Sequence, residues 1–222
     1  MRSKFDEQLV ELNNEMIKMG AMIETAITNA VKALSQADEE LAKKIMAADI
    51  EVDQEEKKIE DICFNLLIQQ QPVARDLHTI TAAMKMVTDM ERIGDHAADI
   101  SEITLLLCKA NKERQEEKCV KGAGFEHINK MSVETMLMLN KSIEAYIERD
   151  SKKANEVIAH DDIVDDLFSE AKADIIRLIL DKPSDGEEAT DLLMVAKYFE
   201  RIGDHATNIA EWVIYSLKTS EE

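Results

Sequence analysis

The chain has 222 residues, 46 acidic and 27 basic, for a formal charge of -19. That field repels nucleic-acid phosphates and anionic lipid head groups over about 8 Å, a Debye length at physiological salt, so neither is expected as a partner. With 45% hydrophobic residues, 4% aromatic, 6 Gly and 2 Pro, the composition lacks what strands and turns require and suits an all-α bundle.

In chain order, Phe5, Leu9, Leu12, Met16, Met19, Ile23, Ala26 and Ala30 alternate steps of four and three, the stripe of one long amphipathic helix. It is expected to end near "SQADEE", where Asp38 can cap a second helix. Leu41, Ile45, Ala48, Val52, Ile59, Ile62 and Leu66 keep the rhythm until "QQQPVARD", where Pro72 turns its predecessor away from helical angles. A third helix is expected from about Leu77 to Cys108. The stretch "KANKERQEEKCVKGAG" then combines a block of charges with Gly122 and Gly124 and interrupts the stripe, as a linker does. Three more helices are expected over 125–150, 151–180 and 189–217, the last two parted by "DKPSDGEE". The chain thus divides into a three-helix unit over 1–112, a linker over 113–124 and a second three-helix unit over 125–222. Short connections make neighbouring helices antiparallel.

Three cysteines, Cys63, Cys108 and Cys119, are odd in number and lack C-x-x-C spacing, which points to a reducing cytoplasm. The start has no apolar signal core, and nowhere do about 18 apolar residues run together, so neither signal peptide nor membrane span is expected. Membrane association has to come through a partner. No phosphate-cradling G-x-x-x-x-G-K-[ST] loop occurs.

The two halves repeat each other. "ERIGDHAADISE" from Glu91 returns as "ERIGDHATNIAE" from Glu200, 109 residues on (200 − 91), and "ADIEVDQ" around Asp49 and Asp53 matches "HDDIVDD" around Asp161 and Asp165, 112 residues on (161 − 49). Each half carries D-x-x-x-D on its second helix and E-x-x-x-D on its third. An i, i+4 pair lies on one helix face, about 40° apart. On a helical wheel Ile80, Met84, Val87, Ala98 and Leu105 fall within about 40° of Glu91, with Asp95 and Glu102 close by. Glu91 is therefore expected at the centre of the apolar stripe, and Glu200, Asp204 and Glu211 likewise. Asp161 and Asp165 lie among Val157, Ile158 and Phe168, whereas Asp49 and Asp53 flank their stripe.

Like charges gathered away from water cost several kcal/mol each unless protonated, paired or metal-bound. Arg92 and Arg201 project about 100° from the preceding Glu, toward another side of the helix. A multivalent metal answers both charge and geometry, and carboxylates from adjacent helices are hard donors that suit Mg, Ca, Mn or iron and tolerate Zn. His96 and His205 lie about 140° from their Glu, so a satisfied or exposed histidine is the expectation there. Gly94 and Gly203 each cost about 1 kcal/mol in a helix, which a close approach or a cluster would explain. Asp99 and Asn208 sit at the stripe's edge as possible outer ligands, and the twelve methionines read as adaptable core filler.

With its doubled D-x-x-x-D and "ERIGDHA-x-N/D-I-x-E" helices, nearly the whole chain resembles the PhoU type, a family of phosphate-transport accessory and Pho regulon regulators. The resemblance implies two pseudo-symmetric three-helix bundles and frequent homodimers. It implies multinuclear metal clusters of Fe or Zn, with Mn or Mg as further candidates. By the family's pattern Asp49, Asp53, Glu91 and Asp95 hold one cluster, and Asp161, Asp165, Glu200 and Asp204 the other. Asp99 stands where the second half has Asn208, so the sites are expected to differ. The implied role is non-enzymatic, cytoplasmic and peripheral to the membrane, restraining the phosphate-starvation response through a membrane sensor histidine kinase and the phosphate ABC transporter ATPase. Two alternatives are a carboxylate-bridged metal enzyme and a metal-free helical scaffold. The first is disfavoured because bundle di-iron enzymes use E-x-x-H, and here position +3 is Gly94 or Gly203.

Overall fold

A computed structural model describes the backbone of residues 2–70, 74–113 and 123–217, with side chains over 4–68, 76–113 and 124–217. It is all-α: α1 Arg2–Gln36, α2 Glu39–Gln70, α3 Ala74–Glu113, α4 Ala123–Glu148, α5 Ser151–Asp181 and α6 Gly186–Leu217, with a 3-10 turn at Pro183–Asp185. The helices are those the periodicity predicts. Pro72 and most of the expected linker, residues 114–122, lie outside the described residues. Two ends differ from expectation. α3 continues past Cys108 to Glu113, since charged residues are good helix formers, and α6 starts at Gly186, directly on the 3-10 turn.

The α1–α2 and α4–α5 connections are the same device twice, 112 residues apart (149 − 37). Ala37 and Arg149 adopt positive φ, 53° and 56°. Asp38 N–H donates to the Ala33 carbonyl at 2.9 Å and Asp150 N–H to that of Ala145 at 3.0 Å, closing each helix in a Schellman-type bond. The following Asp then starts the next helix. Asp38 Oδ1 accepts from Leu41 N–H at 3.0 Å, the cap the sequence predicts, and Asp150 Oδ1 accepts from Lys152 N–H at 2.8 Å.

α1, α2 and α3 pack on one another, as do α4, α5 and α6, and the two bundles join along α3 against α6 and α1 against α4. Buried residues of all six helices form one continuous hydrophobic cluster. α3 and α6 run antiparallel. His78, early in α3, meets Tyr215, late in α6, with ring centroids 4.9 Å apart. At the centre of this seam His96 faces its own repeat equivalent, His205, at 5.6 Å. The seam also carries polar bonds: Asp89 Oδ1 pairs with His205 Nδ1 at 2.8 Å and accepts from Asn208 Nδ2 at 3.1 Å. Cys63 and Cys108 are buried free thiols, and burial pushes the Cys63 thiol up to about 12, which leaves it unreactive. Among the described residues no helix is long and apolar enough to cross a membrane.

Candidate metal centre

Where α2 crosses α3, Gly94 faces Val52, and a β-carbon at Gly94 would lie 3.0 Å from Val52 Cγ1 and 3.6 Å from Asp49 Oδ1. The second half repeats this: a β-carbon at Gly203 would lie 3.3 Å from Val164 Cγ1 and 3.5 Å from Asp161 Oδ1. The motif glycines therefore mark a close helix approach, with an aspartate of the second helix laid directly over each. That explains a residue that is otherwise unfavourable inside a helix.

Through that crossing Asp49, Asp53 and Asp95 each bring one carboxylate oxygen within 4.8 Å of the others. An open cleft of about 480 Å³ adjoins them, lined by Asp49, Asp95, Asp99 and Glu102 among others. Glu91 is largely buried beside this triad, with 16% of its side chain exposed. Burial, then the neighbouring Asp95, Asp53 and Asp99, push the Asp49 carboxyl up to about 6. Burial and Asp95 foremost, with Glu56 and Asp53 adding to them and Arg92 opposing, push Glu91 up to about 7. Groups that resist ionisation because other anions surround them gain most from a cation.

In the second half Asp161 and Asp204 are likewise raised, each by burial first and then by neighbouring acids, Asp165 for Asp161 and Glu200 for Asp204. Glu200 has 15% of its side chain exposed, whereas Asp165 and Asp204 are exposed. Among the described residues, three converging oxygens are found only in the first half.

Three expectations need correction. Glu91 does not sit at the centre of α3's buried face. That face runs through Met86, Met90, Ile93, Ala97, Ile100, Thr104 and Leu107, and Glu91, Asp95 and Asp99 line its edge, half-buried. The reason is that α3 packs against α1, α2 and α6 at once, so its apolar arc is wider than one stripe and the wheel was centred on its margin. Glu102 and Glu211, placed on the inward face, are exposed. Arg92 does reach the acids: Nη1 donates to Asp95 Oδ2 at 2.8 Å, and Nε lies 3.4 Å from Glu91 Oε2. The wheel gives the direction of a Cβ, and a guanidinium on a four-bond stem reaches across one turn.

The histidines hold the α3–α6 seam. His96 is buried, 3.2 Å from Asp99 Oδ2 and ring-to-ring with Tyr198 at 5.3 Å. Burial above all pulls its imidazole below the usual histidine range. Two residues near the sites escaped the sequence reading: Glu56, close enough to Glu91 to raise it, and Lys197, bonded to Glu200. Applying the repeat offsets outside the motifs would have exposed both, since neither is matched in the other half.

Hard oxygen donors from two helices, a close-approach glycine beneath one of them, and an excess of negative charge fit a divalent or trivalent cation well in the first half. Asp49, Asp53 and Asp95 would hold it, with Glu91 alongside. A three-dimensional match accompanies this architecture. The crystal structure of PhoU from Pseudomonas aeruginosa superposes with a TM-score of 0.89 at 28% identity, covering 97% of this chain and 99% of that one. The crystal structure of the phosphate transport system regulatory protein PhoU from Streptococcus pneumoniae superposes with a TM-score of 0.83 at 27% identity, covering 98% of both chains.

The fold and repeated motif thus define a tandem three-helix protein of PhoU architecture. The PhoU domain profile matches residues 16–104 and again 128–213. A relative from Clostridium acetobutylicum, "Phosphate-specific transport system accessory protein PhoU homolog", is 37% identical over 217 residues, covering 97% of this chain and 95% of its own. The chain belongs to the PhoU family, whose named members are accessory proteins of phosphate transport and not enzymes.

Proposed function

We propose that the chain is a non-enzymatic accessory protein of phosphate transport. In this reading it binds a metal cluster in each half, works as a cytoplasmic homodimer, and restrains phosphate-starvation signalling by contacting a membrane sensor histidine kinase and the phosphate ABC transporter ATPase. The carrying observation for metal is the convergence of Asp49, Asp53 and Asp95 within 4.8 Å. Such a cluster is unfavourable as bare anions and favourable around a cation. Family membership supports the tie to transport. The charge of -19 supports docking on basic protein surfaces rather than on lipid. Phosphate status then reaches the protein through those partners.

Metal content per chain, measured on protein purified without chelator or metal-affinity resin, tests the first element. Asp49→Asn is expected to remove the first half's metal and leave the second half's. Metal-free protein whose melting temperature ignores added Fe, Mn or Zn would return the acids to a solvated face. For the partners, tagged protein is expected to capture the kinase or the transporter ATPase. Capture of neither, with normal phosphate-responsive transcription in a deletion strain, refutes the regulatory role.

A further inference from the structure

The two halves set the same motif in different surroundings. By the repeat offsets, Thr88 of α3 corresponds to Lys197 of α6 (197 − 109), and Glu56 of α2 corresponds to Phe168 of α5 (168 − 112). In the first half these positions supply a hydroxyl and one more carboxylate beside Asp53 and Glu91. In the second they supply a cation and its seat. Lys197 Nζ lies 5.4 Å from the centroid of the Phe168 ring and donates to Glu200 Oε2. The aromatic face holds the ammonium by cation–π attraction and the carboxylate holds it by a charge-assisted bond. The same ammonium also opposes the rise of the Asp204 carboxyl, so its field reaches across the second site.

Arg92 is not an equivalent of this lysine. It binds Asp95 from the solvent side with 55% of its side chain exposed, and its counterpart in the repeat is Arg201. The first site is also richer in acid, with Asp99 where the second has Asn208.

Resting on the metal reading above, we propose that Lys197 is a tethered cation standing in for metal charge in the second half, so that the chain fills its two sites in order, the first at lower metal concentration. Metal entering the second site has to detach Lys197 from Glu200 or share the carboxylate with it. Giving up one charge-assisted bond lowers affinity by about ten-fold or more. The first site carries no such internal competitor on its buried side.

The test is equilibrium dialysis of the metal-free full chain against Mn²⁺ at neutral pH. Asp49→Asn and Asp161→Asn assign the binding classes to the halves. Wild type is expected to show two classes, the tighter abolished by Asp49→Asn and the weaker by Asp161→Asn. Lys197→Met, which keeps an apolar stem against Phe168, and Lys197→Thr, which copies the first half, are each expected to tighten the weaker class about ten-fold and leave the tighter one unchanged. Equal classes in wild type, or a weaker class indifferent to both substitutions, overturn the lysine proposal while the metal reading stands. Failure of every variant to bind Mn²⁺ overturns both.

Discussion

Val52 Cγ1 stands 3.0 Å from the place a β-carbon on Gly94 would take, whereas the equivalent approach of Val164 Cγ1 to Gly203 is 3.3 Å. The tighter crossing belongs to the half in which three oxygens converge. Gly→Ala gains about 1 kcal/mol of helix propensity at either position, but the clash at Gly94 takes back about 1–3 kcal/mol. Gly203→Ala is expected to be near neutral in chemical denaturation and Gly94→Ala measurably destabilising. Gly94→Ala also pushes Asp49 away from Asp95, so its first-half metal affinity falls. Equal stability of the two variants would mean that the crossings are equally tight.

Acidity offers a second check. The folded-state carboxyls of Asp49 and Glu91 are raised to about 6 and about 7, above unfolded values of about 4. The folded chain holds these protons more tightly than the unfolded one, so their stabilising effect is complete below about pH 4 and lost as pH climbs through 6 to 7. Metal-free protein is therefore expected to lose stability from this pair across pH 4 to 7. Bound metal replaces the protons, and saturating metal flattens the profile above pH 7. Asp49→Asn with Glu91→Gln should flatten it without metal. A metal-free profile that rises through this window in wild type, relative to the double variant, contradicts the assignment.

Asp89 anchors the seam. Its Oδ1 engages both His205 and Asn208 of α6, at 2.8 and 3.1 Å. Asp89→Ala leaves two partly buried polar groups without that acceptor, and a loss of about 1–3 kcal/mol is expected in urea unfolding. Preserved stability would mean that water takes over both bonds.

The helix ends leave room for improvement. Ala37 holds a left-handed backbone, φ 53°, at a cost of about 1–2 kcal/mol for a residue with a β-carbon. Ala37→Gly relieves that strain, less the extra chain entropy of glycine, and is expected to raise stability by about 0.5–1 kcal/mol. Arg149→Gly is expected to do the same at the other end of the repeat. A fall in stability with either change would mean that the Schellman turn is not strained.

The helices were legible because their stripes are long, and because Asp38 and the proline turns punctuate them in ways local chemistry fixes. The carboxylate pairing of α2 with α3 was legible because the repeat prints it twice. The wheel misplaced the centre of α3, since a helix touched on three sides hides more than one stripe and its periodicity no longer marks a single midpoint. The reach of Arg92 to Asp95, and of Lys197 to both Phe168 and Glu200, escaped because long side chains bond at distances their Cβ directions do not encode. The pairing of His96 with His205 required knowing that α3 lies antiparallel to α6, which no local pattern contains.

His96 follows Asp95 in the chain, and His205 follows Asp204, so each ring in the 5.6 Å contact is the immediate neighbour of a cluster aspartate. A rod that turns about its long axis to grip an ion must drag its ring against the opposite one. The two binding places are thus geared to each other through one tooth on each shaft, and neither can settle without the other registering the motion.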